Sequence, residues 1–201
     1  YIGERKDGSV FTASSTIADW FSRSLADELG RQGVQVSFAS TLEQARAMRG
    51  YLDTVHNLRS GEDGLKIILM SELPSNAILA RQFIQEFDGF SIGSNDMTQM
   101  VLATDRDNSS LSHIYDEEDP AVVWAILVTI FSGQKFGKKV GFCGQGVANS
   151  EVLRGLVAIS GITSASVVPD TYYRTKQDFA AAEALNISAS GLGKWLGEQH
   201  Q

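Results

Sequence analysis

The chain has 201 residues, 43% of them apolar and 20% charged, and carries a net charge of −7 at neutral pH. This mix excludes disorder and collagen-like structure, and its length allows one domain, or one domain with a short appendage. The acidity argues against electrostatic holding of nucleic acid, and the single cysteine, Cys143, excludes an internal disulfide and a cysteine metal cluster.

Read from the N-terminus, Tyr1-Ile-Gly-Glu-Arg-Lys6 is polar and leads to no apolar core, so no signal peptide is visible. Gly8–Thr12 is a candidate strand. Thr16 to Gln32, with Ile17, Trp20, Phe21, Leu25 and Leu29 on one face, predicts an amphipathic helix. Val34–Phe38 reads as a strand. Thr41-Leu-Glu-Gln44 is a capping box, and Leu42, Ala45, Met48, Leu52 and Val55 then share a helical face. The polar, Gly-containing Arg59–Gly64 is a loop.

Leu65–Met70 is the next strand, and Pro74 and Ser75 open a helix through about Phe87. Phe90–Gly93 is a third strand. Asp119 and Pro120 supply an N-cap and a first-turn proline for a long apolar helix that Gly137 closes. Its apolar run, Ala121 to Phe131, is too short to cross a hydrocarbon layer of about 30 Å. Such a helix is expected either within the core or under a covering partner. Lys139–Phe142 is a fourth strand. Ser150 caps a helix that ends at Gly161, Ser164–Val168 is a fifth strand, and an Ala-rich helix follows from Thr175 to Leu185. Ser188 to Gln201 is a tail.

Strand–helix alternation at these lengths predicts βαβ units and a parallel sheet. Two closures are open, a doubly wound sheet and a (β/α)8 barrel. A full barrel takes about 250 residues, so as a barrel this chain would supply the later part, about five to six strands. The expected division is a divergent N-terminal helical segment 1–33, a barrel part 34–186 and a tail 187–201. A partial barrel leaves unpaired edges, which predicts association, with a homodimer as one arrangement. The lone thiol fits a reducing, cytoplasmic setting.

Polar residues cluster just past four strand ends: Glu72; Ser94, Asn95 and Asp96; Cys143; and Asp170. Carboxyl ends of parallel strands form the rim where α/β proteins place their sites. Glu72 and Asp96 could grip one hard divalent cation, since Mg²⁺ takes one or two carboxylates and leaves its other positions to water and substrate. Taken singly, each residue has a plainer role: a helix-start charge, an N-cap, a turn residue, or a small buried thiol.

Asp88-Gly-Phe-Ser-Ile-Gly-Ser-Asn-Asp-Met-Thr-Gln99, running on to Ala103-Thr-Asp-Arg106, resembles the signature of the phosphoenolpyruvate-utilising enzymes. Leu65–Asn76 is similar to the segment carrying that family's metal-binding glutamate, Val140–Gln145 to the one carrying its catalytic cysteine, and Ser166–Asp170 to its last barrel strand. The likeness runs from Val34 to Glu183 and is strongest to members that form phosphoenolpyruvate from pyruvate. It implies the barrel closure. It also implies Mg²⁺ (or Mn²⁺) on Glu72 and Asp96, a pyruvate or phosphoenolpyruvate pocket at Glu72, Gly93, Ser94, Asn95, Asp96 and Arg106, and Cys143 as proton donor to the enolate carbon. Arg106 matches an arginine that contacts the substrate phosphate in one branch of the family.

The same resemblance implies a phosphohistidine domain as partner, and ATP used only through domains outside this chain. His56, His113 and His200 lack the expected phosphohistidine context. The family's early-strand arginines have no counterpart in Tyr1–Gly33, and one near Phe38 is replaced by Ser40. Two other readings are a non-catalytic derivative that binds or dimerises, and a lyase using the same enolate, against which the cysteine segment argues.

Overall fold

The structure, a computed structural model, describes residues 2–4, 10–12, 33–36, 39–61, 65–105, 111 and 113–184. Its strands are β1 (Ile2–Glu4), β2 (Val10–Thr12), β3 (Gly33–Val36), β4 (Lys66–Ser71), β5 (Gly89–Gly93), β6 (Lys139–Cys143) and β7 (Ser164–Ser166). Its helices are α1 (Leu42–His56), α2 (Pro74–Ile78), α3 (Ala80–Glu86), α4 (Ser94–Val101), α5 (Pro120–Lys135), α6 (Gly146–Asn149), α7 (Glu151–Ile159) and α8 (Tyr172–Ala184). The helix expected over Thr16–Gln32 and the tail Ser188–Gln201 lie outside the described residues.

The strands form one sheet in the order β2-β1-β3-β4-β5-β6-β7. From β3 to β7 every neighbouring pair is parallel, and β1 and β2 add an antiparallel hairpin at the β3 edge. The order of the parallel strands follows the chain without reversal. Right-handed crossovers between successive neighbours put their helices on one face of the sheet. A doubly wound sheet reverses its order at a switch point, and none occurs here.

Side-chain alternation divides the two faces. On the helix face Ile67, Leu69, Phe90, Ile92, Val140 and Phe142 are buried, in one core with Val122, Ile126 and Ile130 of α5. On the other face Ile68, Ser91, Gly141 and Cys143 are only half-buried. The apolar helix α5 therefore finds its cover within the chain. It packs on β5 and β6 and against α2, α3 and α4, and nine of its residues are buried. No helix among the described residues is long and apolar enough to cross a membrane.

Local signals set the element ends. Thr41 Oγ1 accepts from the Gln44 N–H and Gln44 Oε1 from the Thr41 N–H, which closes the capping box of α1. Asn57 ends that helix in the left-handed region, at φ 51°. The helix expected from Pro74 to Phe87 is divided at Leu79. The strand expected over Ser164–Val168 stops at Ser166, because Pro169 cannot donate to a ladder and biases the residue before it. Helices α4 and α6 form in segments for which no element was expected.

Candidate functional site at the strand ends

Register brings the predicted residues together. Ser71 pairs with Ile92, so Glu72 follows directly beside Gly93, and Gly93 pairs with Cys143, which pairs with Ser166. Glu72, Gly93 and Cys143 thus form one row across the carboxyl ends of β4, β5 and β6. A Cβ on Gly93 would sit 3.2 Å from Glu72 Oε2 and 3.3 Å from Met70 Sδ. A side chain at 93 would therefore press on Glu72, which would have to give by a few tenths of an ångström.

Glu72 is 3% exposed. Its turn is fixed by Asn76, whose Oδ1 accepts from the N–H groups of Glu72 (3.3 Å) and Leu73 (3.1 Å). Asn76 Nδ2 donates to the Ala39 carbonyl at 2.8 Å, which ties this turn to the segment after β3. Ser40, where the family resemblance expects an arginine, instead donates through its N–H and its hydroxyl to Gln44 Oε1.

Helix α4 begins directly at the end of β5. Ser94 is buried, while Asn95 and Asp96 are half-buried in its first turn. Asn95 Oδ1 accepts from the Gln145 N–H at 3.3 Å, so the segment after β5 is stitched to the segment after β6. A Cβ on Gly144 would fall 3.1 Å from the Ser94 nitrogen and closer still to its hydroxyl. Glycine at 144 permits that approach.

Cys143 is half-buried. Burial pushes its thiol above the ordinary range, and the negative charges of Glu72 and Asp96 push it further the same way. Among the described residues no group of three or more His, Cys, Asp or Glu side chains converges on a point. Glu72 and Asp96 are the hard oxygen donors at these strand ends that could hold a divalent cation.

Arg106 lies outside the described residues. Asp170 is exposed in a 3₁₀ turn (Pro169–Thr171) beyond β7. Sequence reasoning missed Glu117. Its Oε1 accepts from Ser94 Oγ at 2.8 Å and would lie 2.9 Å from a Cβ on Gly146. It also missed Arg154, 1% exposed in α7, which donates from Nη1 to the Val147 and Ala148 carbonyls and from Nε to Asp178. Glu117 sits in an acidic run that reads as solvated surface. Arg154 did leave a signal, since it shares a helical face with Leu153, Val157 and Ala158.

The model of the family described as PEP-utilising enzyme, PEP-binding domain matches residues 24–184. The phosphoenolpyruvate synthase of Escherichia coli K12 is 46% identical over 142 residues, which cover 71% of this chain and 18% of that protein. That of Neisseria meningitidis serogroup B is 44% identical over 151 residues, covering 74% of the chain and 19% of the relative. That of Helicobacter pylori is 37% identical over 188 residues, 90% of the chain and 23% of the relative. The chain thus spans about a fifth of the length of these curated relatives.

Proposed function

The chain belongs to the PEP-utilising enzymes, and on that premise we propose that it forms the pyruvate- and phosphoenolpyruvate-binding part of a phosphoenolpyruvate synthase-like phosphotransferase. The observation that carries the reading is the row Glu72–Gly93–Cys143 across three strand ends, with Asp96 acting on the same thiol. The unreversed order of β3 to β7 supports the later part of a (β/α)8 barrel, whose carboxyl-end rim this row would occupy.

In this reading Glu72 and Asp96 hold Mg²⁺ or Mn²⁺. When bound, the cation offsets the negative charge that develops on the enolate oxygen of pyruvate. Gly93, Ser94 and Asn95 are assigned to the lining of the pocket for the three-carbon acid. Cys143 handles the proton. Its raised thiol keeps its hydrogen at neutral pH, the state a donor needs. The S–H gives its proton to the methylene carbon of the enolate, a C–H bond forms, and the thiolate remains. In the opposite direction the thiolate takes a methyl proton and pyruvate becomes the enolate. Arg106, a forked donor, is assigned to the substrate's carboxylate or phosphate. The phosphoryl group reaches the enolate oxygen from a phosphohistidine elsewhere in the parent protein, and any use of ATP belongs there too.

Two measurements test this. Mn²⁺ titration of the chain, followed by electron paramagnetic resonance, should show a bound ion that Asp96→Asn and Glu72→Gln each weaken about tenfold or more. In the full-length parent, Cys143→Ala should abolish solvent exchange of the pyruvate methyl protons while leaving Mn²⁺ binding within a factor of about two. Exchange that persists in Cys143→Ala would reduce the thiol to a packing role, and Mn²⁺ binding unchanged in both carboxylate variants would remove the metal site.

A further inference from the structure

We propose that Glu117 is a positioning residue for this site, holding the start of α4 against the glycine loop that follows Cys143. The inference rests on the reading of the strand-end row as the site, but its geometry stands independently of any activity.

Three segments meet at Glu117 and its neighbour Glu118. The first is the buried Ser94, whose hydroxyl donates to Glu117 Oε1 at 2.8 Å and whose carbonyl accepts from Thr98 Oγ1 at 2.8 Å. A hydroxyl buried this deeply needs a partner, and a charged acceptor makes the stronger bond. The second is the loop Gly144-Gln145-Gly146. A Cβ on Gly146 would sit 2.9 Å from Glu117 Oε1 and 2.6 Å from Leu153 Cδ2, so the loop backbone lies against the carboxylate. The third is the start of α7. The next residue, Glu118, accepts from Ser150 Oγ at 2.7 Å, and the same Ser150 oxygen accepts from the Leu153 N–H to cap α7.

Two successive acids thus strap the segments after β5 and β6 to the connection that enters α5. Asn95 and Asp96 follow Ser94 in the first turn of α4, and Cys143 precedes Gly144. Helix α5 has its own N-cap in Asp119, which accepts from the Ala121 N–H. The strap holds the first turn of α4, which carries Asn95 and Asp96, against the segment that directly follows Cys143.

The test compares Glu117→Ala with Glu117→Gln. Gln keeps an oxygen that can accept from Ser94 and loses the charge; Ala loses both. Cys143 is the only thiol in the chain, so its alkylation by iodoacetamide at fixed pH reports the loop directly. Glu117→Ala should raise the alkylation rate about tenfold under native conditions, the effect of losing one hydrogen bond to a charged group, with the urea midpoint showing the chain still folded. Glu117→Gln should recover most of the native protection. Should Glu117→Ala fail to fold, Ser94→Ala, which removes the donor and leaves the carboxylate, should raise the rate in the same way. In the full-length parent, Glu117→Ala should lower kcat for methyl-proton exchange more than it raises KM for pyruvate, since loosened loops misplace the reacting groups. Native alkylation rates in Glu117→Ala and Ser94→Ala, or equal rises in Glu117→Ala and Glu117→Gln, would overturn the positioning role. Changed alkylation in a parent that exchanges no methyl protons would uphold the strap and reject the assigned chemistry instead.

Discussion

Gly133 should change the sign of its effect with the residue at 140. It lies near the end of α5, where alanine would be the better helix former by up to about 1 kcal/mol. A Cβ there, however, would fall well under 3.0 Å from Val140 Cγ2, whereas Lys138 O at 3.5 Å and Val140 Cβ at 3.7 Å are ordinary contacts. The conflict is with one methyl group. Val140 is 1% exposed in β6 and its branched side chain has little rotamer freedom, so overpacking should cost roughly 1–3 kcal/mol. Gly133→Ala should therefore destabilise the chain by about 1–2 kcal/mol after the helix gain. Val140→Ala alone should cost about 2–3 kcal/mol for the cavity it leaves. In that background the clashing methyl is gone, and Gly133→Ala should restore about 1–2 kcal/mol through helix propensity and partial filling of the cavity. The cycle predicts a coupling of roughly 2–4 kcal/mol, read from urea denaturation of four proteins. Gly133→Ala with the same sign in both backgrounds would refute the claim that close packing of α5 on β6 dictates glycine there.

The thiol offers a pH test. Burial first, then Glu72 and Asp96, raise Cys143, so its rate–pH profile for iodoacetamide should have a midpoint above that of the urea-unfolded chain, and Glu72→Gln should lower it. A thiol raised in the native state contributes stability that is complete below the unfolded thiol's pKa, about 8.5, and is lost as pH rises through the folded value. A native midpoint at or below the unfolded one would contradict this. Arg154→Met should cost about 2–4 kcal/mol in urea denaturation, because it strips donors from the Val147 and Ala148 carbonyls of α6 and leaves Asp178 only its longer pair with Arg174, at 3.9 Å. Arg154→Lys should recover little, lacking the planar fork, and a loss under about 1 kcal/mol would show that those carbonyls find water.

The parallel strands were legible because β-branched and aromatic runs sit between Gly, Pro and Asp punctuation, and β5 and β6 fall within a residue of where the sequence places them. The capping residues Thr41, Asp119 and Ser150 were legible for the same reason: a short side-chain oxygen before an apolar helix has one efficient use. Helix α4 was hidden because Gly93 precedes it without a side-chain cap and its first residues are polar. Burial of Met97 and Thr98, a tertiary effect, supports it. The break at Leu79 carries neither glycine nor proline. Of the site, Glu72, Asp96 and Cys143 were readable from strand ends and family likeness together. Glu117 was not, because its meaning lies in Ser94, 23 residues earlier in the chain, and the acids around it look like solvated surface.

The unreversed strand order also shapes how this chain reaches its fold. Each parallel strand docks on the one made just before it, so assembly can proceed by successive short loop closures, a low-contact-order route. The closures are unequal. From Ser71 to Gly89 the chain needs a short excursion, whereas from Gly93 to Lys139 the excursion is roughly two and a half times as long and costs about 0.8 kcal/mol more in chain entropy. Joining β6 to β5 is thus the most demanding step between parallel neighbours from β4 onward. That step also seats Cys143 beside Gly93, so the row across the strand ends is completed only when the longest of these closures has been made.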